Sequence, residues 1–239
     1  MSALAEKTVV IVGASSGIGL ATARAAAQAG ARVVMLSRSQ ARLDEAAKTV
    51  PGQVRALAMD MVDRPAVDRI IGSIGPIDHL VLTAVADELA CRAPIAVLTD
   101  DQVDRTLAKL RGFINVTRAA VPHLAERGSI TLVSGASAVK PPKDGFTVLA
   151  ATGASIVGFG RALALELSPR RVNVVMPGLV DTPINQARRE AVKQWAESPA
   201  LPARRFGQPE DIAEGILFLM TNPYMTGHTL NIDGGYVVT

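Results

Sequence analysis

Seven short runs of Val, Ile and Leu, separated by longer stretches with helical spacing, constrain this chain more than any other feature. The runs are Thr8 to Val12, Arg32 to Leu36, Val54 to Ala58, His79 to Thr83, Ser129 to Ser134, Val172 to Met176 and His228 to Ile232. Near-continuous apolar runs of this length fit parallel strands buried on both faces, because crossover helices cover each side of such a sheet. Apolar residues three and four apart predict helices over Gly17 to Gly30, Gln40 to Val50, Pro65 to Ser73, Thr99 to Leu124 and Thr152 to Leu167. Boundary chemistry agrees: Gly30 suits a left-handed C-cap, Thr99 before Asp100 and Asp101 suits an N-cap, and Pro209-Glu210-Asp211 opens a further helix. The expected fold is α/β, one doubly wound domain over residues 1–239 with a seven-stranded parallel sheet flanked by helices. Two insertions break the alternation, Val139 to Thr147 and Leu179 to about Pro202. Both follow strands, where sheets of this kind bind ligands.

Composition narrows the function. Aromatics are only 3%, so the core must come from Val, Ile, Leu and Ala. The net charge is +3, but Lys and Arg are scattered, so no nucleic-acid partner is expected. The lone Cys91 excludes an intramolecular disulfide. No long charge-free apolar run is readable as a membrane span, and Met1 to Lys7 carries no leader pattern, so a cytoplasmic protein is expected. His79, His123 and His228 sit on separate elements without neighbouring ligands, so no metal site is expected.

The strongest local signal is Val9-Val10-Ile11-Val12-Gly13-Ala14-Ser15-Ser16-Gly17-Ile18-Gly19, a strand running into a glycine turn and then a helix. Gly13 permits the tight turn, Gly17 lets backbone approach a pyrophosphate, and Gly19 lets helix and strand pack closely. Ser15, Ser16 and Ile18 complete the loop, where first-turn N–H groups and the helix dipole favour an anion. An acid normally ends the second strand where the cofactor ribose is unphosphorylated. Here the strand ends Met35-Leu36-Ser37-Arg38. Ser37 removes the repulsion, and Arg38 offers a charged fork to a 2′-phosphate, which predicts NADP(H). A solvated Arg38 is the alternative.

The Gly-x-x-x-Gly-x-Gly spacing resembles the short-chain dehydrogenase/reductase family. The resemblance continues through Pro177-Gly178-Leu179-Val180-Asp181-Thr182, Arg205-Phe206-Gly207-Gln208-Pro209-Glu210-Asp211-Ile212-Ala213, Thr226-Gly227 and Asp233-Gly234-Gly235. It implies a single doubly wound domain binding a nicotinamide dinucleotide, a small carbonyl or alcohol substrate, and a homodimer or homotetramer joined through the long helix after the fifth strand. It further implies that Asp60 contacts the adenine amino group, unless it is an ordinary turn Asp. By the same resemblance Thr83 is expected to lie at the cofactor after the fourth strand, and Pro177, Gly178, Val180 and Thr182 to hold the nicotinamide end.

The family's proton donor is a Tyr with a Lys four residues on, and here the pattern departs. The only tyrosines are Tyr224 and Tyr236, neither followed by such a Lys. Matching Gly158 to Ala164 to the family's helix puts Leu149 at the Tyr position and Gly153 at the Lys position. Lys109 stands where a helical Asn is expected, and Leu82-Thr83-Ala84-Val85 where Asn-Asn-Ala-Gly is typical. Ser134 is the candidate for the family's Ser, with Ser137 nearby and a strand-ending structural Ser as the alternative. Lys109 is the candidate to reach the space left by Gly153, against the alternative of a solvated surface lysine. Lys140 and Lys143 lie on the loop beside them, and Gly158 and Gly160 are expected to permit close helix packing. Two functions remain open: an NADP(H)-dependent oxidoreductase with a non-standard proton donor, and a non-catalytic NADP(H)-binding sensor or scaffold.

Overall fold

The computed structural model describes residues 4–85, 91–143 and 145–239. Its strands are β1 (Thr8–Val12), β2 (Arg32–Ser37), β3 (Val54–Ala58), β4 (Ile77–Leu82), β5 (Leu124–Val133), β6 (Arg171–Pro177) and β7 (Thr229–Ile232). They form one sheet in the order β3-β2-β1-β4-β5-β6-β7, with every pairing parallel. The helices are α1 (Gly17–Gln28), α2 (Gln40–Ala47), α3 (Arg64–Gly72), α4 (Asp100–Ala120), α5 (Thr147–Glu166), α6 (Arg189–Ala196) and α7 (Pro209–Thr221).

Alternate residues of β1 enter different cores, which is why its sequence is apolar throughout. Val10 and Val12 pack with Phe113 of α4 and Ile156 of α5, whereas Val9 and Ile11 pack with Ala23 of α1 and Ile216 of α7. Chain order reverses between β1 and β4, so their C-terminal ends leave a crevice at the switch point.

Several boundaries differ from expectation. The fifth strand starts at Leu124, which pairs with Ile77 across a register shift, rather than at Ser129. α4 stops at Ala120, because Pro122 in the following turn has no N–H with which to continue the ladder. α5 starts at Thr147 rather than Thr152, and the insertion after β6 holds a 3-10 turn, Pro183–Arg188, followed by α6. Gly160 allows close packing, since a Cβ there would stand 2.6 Å from Val174 Cγ2, but Gly158 faces open space, which corrects the packing expected of it within the chain. α5 is long and apolar enough to cross a membrane by composition, yet Gly160 seats it on the sheet.

Candidate active site

The crevice beyond β1 and β4 is a cleft of about 410 Å³, and the glycine loop forms its floor. Gly13 adopts φ +96°, and its N–H bonds the Leu36 carbonyl at 2.7 Å, turning the chain out of β1. A Cβ on Gly19 would stand 2.2 Å from the Gly13 oxygen and 2.6 Å from Thr83 Oγ1, so only glycine lets α1 start this close to the turn. Thr83 donates its hydroxyl to the Val12 carbonyl at 2.9 Å, tying β4 to β1 at the cleft. α1 begins at N-cap Ser16 with no side-chain cap and no acid in its first turn, leaving first-turn N–H groups to an anion. These residues fit a pyrophosphate.

The other sequence-derived cofactor candidates fall into two groups. Ser15, Ser16, Gly17, Ile18, Ser37, Arg38, Asp60, Thr83 and Thr182 all line the cleft. Ser15 and Ser37 join the loop to the end of β2, their hydroxyls 3.0 Å apart. Asp60 accepts the Val62 N–H through Oδ1 at 2.9 Å, a turn role that leaves Oδ2 available. Pro177, Gly178 and Val180 line a second cavity of about 250 Å³, which shares Ile18, Thr83, Val85, Thr182 and Ile184 with the cleft. The two cavities therefore adjoin along one wall.

Ser134, Lys109, Leu149 and Gly153 all line that second cavity. Ser134, one residue past β5, donates to the Gly153 carbonyl at 2.8 Å. Lys109 is only 7% exposed, and its ammonium lies 5.7 Å from the Phe113 ring centroid, so it is no solvated surface lysine. Tyr236 also lines the cavity, donates its phenol to the Lys140 carbonyl at 3.2 Å and packs edge-on against Trp195. Burial raises its pKa above that of an ordinary phenol. Lys140 in turn donates to the Tyr236 carbonyl at 3.2 Å and to the Thr239 carbonyl, which ties the Pro-rich loop to the C-terminal turn. Lys143 does not line either cavity.

Sequence reasoning missed several lining residues, four polar ones among them. Arg42 and Arg105 line the cleft, and Asn185 and Arg188 line the second cavity. Buried Asn185 donates to the Val180 carbonyl at 2.8 Å, bracing the segment after β6. Arg42 lies four residues beyond Arg38, in the first turn of α2, a spacing that could have been noticed, whereas Arg188 has no local signal.

A doubly wound parallel sheet with a glycine loop at its switch point is a Rossmann-type fold. The family model described as enoyl-(acyl carrier protein) reductase matches residues 13–237. The chain is 35% identical over 251 residues to 3-oxoacyl-[acyl-carrier-protein] reductase FabG of Thermotoga maritima, covering 98% of this chain and 99% of that protein. It is 33% identical over 245 residues to L-xylulose reductase of Bos taurus, covering 99% and 98% respectively. A short-chain dehydrogenase/reductase from Brucella melitensis superposes with a TM-score of 0.92 at 28% identity, over 99% of both chains. The chain belongs to the short-chain dehydrogenase/reductase family, a family of nicotinamide-dependent oxidoreductases.

Proposed function

We propose that this protein is an NADP(H)-dependent oxidoreductase, moving a hydride to or from a small carbonyl or alcohol, with its proton supplied by a group other than the family's tyrosine. One observation carries the reading: buried Lys109 and half-buried Ser134 line one cavity with Leu149 and Gly153, the positions matched to the family's Tyr and Lys. The nicotinamide, when bound, supplies or accepts the hydride.

The chain's own groups do the rest. The glycine loop and the uncapped amides of α1 take the pyrophosphate. Ser37 and Arg38, with Arg42 beside them, take the 2′-phosphate, and Asp60 takes the adenine amino group. The Pro177 to Thr182 segment, braced by Asn185, orients the carboxamide end. Ser134 orients the substrate oxygen, while the Lys109 ammonium stabilises developing alkoxide charge and delivers a proton to it directly or through water. General acid catalysis contributes roughly 10² to 10⁴-fold, so a less well placed donor leaves slow chemistry.

A second reading, a non-catalytic NADP(H)-binding sensor or scaffold, draws support from Tyr236, whose phenol is engaged by Lys140 rather than by Ser134. Titration with NADPH and then NADH, followed by Trp195 emission, tests the cofactor half. Deuterium transfer from labelled cofactor to a panel of carbonyl compounds then separates the readings: stereospecific transfer establishes the enzyme, and its absence across the panel favours the sensor. The protein is proposed to work in the cytoplasm as a dimer or tetramer, α5 leaving Leu165 84% exposed for a second copy to cover. A monomeric mass by light scattering would remove that part.

A further inference from the structure

The Asp60 carboxylate is held by a relay that begins on a neighbouring helix. Residues 60–63 form a tight turn between β3 and α3, closed by the Asp63 N–H donating to the Asp60 carbonyl at 3.2 Å. The turn is anchored on both sides. Before it, the Met59 N–H donates to the Ser37 carbonyl at 2.8 Å, and at its end Asp63 caps α3 by accepting the Ala66 N–H. Between these anchors lies the Met61-Val62 peptide.

Both polar ends of that peptide unit are engaged. Its carbonyl, on Met61, accepts from the Asn115 carboxamide of α4 at 3.1 Å, and its N–H, on Val62, donates to Asp60 Oδ1 at 2.9 Å. A trans peptide is planar and points its C=O and N–H in opposite directions, so fixing one end fixes the other. Asn115 thus reaches the Asp60 carboxylate through one rigid unit, and hydrogen bonds in such a chain polarise one another. A longer bond from the same Asn115 nitrogen to the Val62 carbonyl, at 3.4 Å, holds the next peptide as well.

The central peptide of a four-residue turn is the one whose rotation separates turn types I and II, reversing its C=O and N–H. Rotation here would withdraw the Val62 N–H from Asp60 and release the carboxylate. Gly112, one turn before Asn115 on the same face of α4, leaves the space that buried Met61 fills, since a Cβ there would stand 2.4 Å from Met61 Cγ. Shape seats the Met61 side chain, and the Asn115 carboxamide sets which way its carbonyl points. Met59, Asp60, Met61 and Val62 line the nucleotide cleft but Asn115 does not, so any effect of Asn115 on a ligand passes through the turn. We propose that Asn115 is the positioning residue that makes the cleft selective for a 6-aminopurine, holding the turn so that Asp60 Oδ1 is tied down and Oδ2 is left for the exocyclic amino group. This rests on the proposed reading of Asp60 as the adenine contact.

The experiment titrates NADPH and its hypoxanthine analogue, which carries a 6-oxo group in place of the amino group, by nicotinamide fluorescence. Wild type is compared with Asn115→Leu, Asp60→Ala and the double variant, and circular dichroism checks that each is folded. Wild type is expected to prefer the adenine form by about tenfold or more, the scale of a hydrogen bond to a charged group. Asn115→Leu removes that preference by weakening NADPH alone, leaving the analogue within about threefold; Asp60→Ala does the same, and the double variant is no worse than either. Equal weakening of both dinucleotides would make Asn115 merely structural, and a preference surviving in Asn115→Leu would detach it from Asp60; either result overturns the inference. Asn115→Asp, the same shape without the amide donor, repeats the comparison, and loss of folding in both variants would likewise mark Asn115 as structural and overturn it. Wild type binding both forms equally would overturn the inference and the Asp60 contact while the NADP(H) reading stands. Wild type binding neither would overturn the cofactor reading and the inference with it.

Discussion

The Ser134 hydroxyl donates to the Gly153 carbonyl across 2.8 Å, latching the end of β5 onto α5. A Cβ on Gly153 would stand 3.0 Å from Ala138 Cβ and 3.2 Å from Ser134 Oγ, so the space there is tight but bounded partly by one small side chain. Introducing the proposed Tyr and Lys at these positions should therefore work best with room made for them. Leu149→Tyr with Gly153→Lys and Ala138→Gly is expected to raise kcat for any reduced carbonyl by about tenfold or more, a part of the roughly 10² to 10⁴-fold that a well-placed general acid contributes. Single-turnover kinetics checks it. An unchanged chemical step in a folded triple variant would mean that proton supply does not limit the protein.

Arg38 and Arg42 both line the cleft, with Ser37 and Ser39. Arg38→Ala is expected to weaken NADPH by about tenfold to a hundredfold, corresponding to a charged hydrogen bond of about 1.5–3 kcal/mol, and to leave NADH unchanged. Fluorescence titration of both cofactors reads the difference. Equal losses for both would assign Arg38 to the loop's structure instead of the 2′-phosphate.

Gly19 has no room for a methyl group, its Cβ position lying 2.2 Å from the Gly13 oxygen. Backbone cannot yield as a flexible side chain does, so Gly19→Ala should destabilise the protein by about 1–3 kcal/mol or more and abolish dinucleotide binding. Thermal melts with and without NADPH measure both effects. Binding within a few-fold of wild type would contradict the close-packed loop.

His79 on β4 is 7% exposed, with Nδ1 2.8 Å from Ser129 Oγ. Burial lowers its pKa from 6.5 to about 4, opposed by Asp78 and aided by Arg171 and Lys7. The folded state thus resists charging a group that charges freely when unfolded. Stability is fully present above pH 6.5 and declines as the pH falls towards about 4, by about 3 kcal/mol in total. Urea midpoints across that window should fall less steeply for His79→Gln than for wild type. Parallel profiles would show that other groups, such as Asp78, govern the acid limb.

Legibility in the sequence followed the origin of each constraint. β1 begins and ends where its apolar run does, because a strand buried on both faces of a parallel sheet is apolar residue after residue. The glycine loop was equally plain, since the tight turn at Gly13 and the close approach at Gly19 leave a mark at fixed spacing. The first turn of α5 was not, for its N-cap is Phe146, whose side chain makes no capping bond. Lys109 lies on the buried stripe of α4 with Thr106, Phe113, Val116 and Ala120, a periodic signal that already argued against a solvated lysine. Arg188 and Asn185 reach the cavity only because the insertion after β6 doubles back over it, and no local pattern encodes that return.

The pairing of β1 with β4 sets an order of assembly. Residues 9 to 12 find their β4 partners only at residues 79 to 82, after two other strands and three helices have intervened. Loop closure over such a separation is slow, so the nucleotide cleft matures late relative to the β1-β2-β3 unit that supplies most of its floor. The second cavity matures later still, because its wall includes Arg188 and Tyr236. A refolding chain should acquire β-sheet ellipticity first, nucleotide-dependent protection second and Trp195 packing last, which makes the order of these three signals a readout of topology.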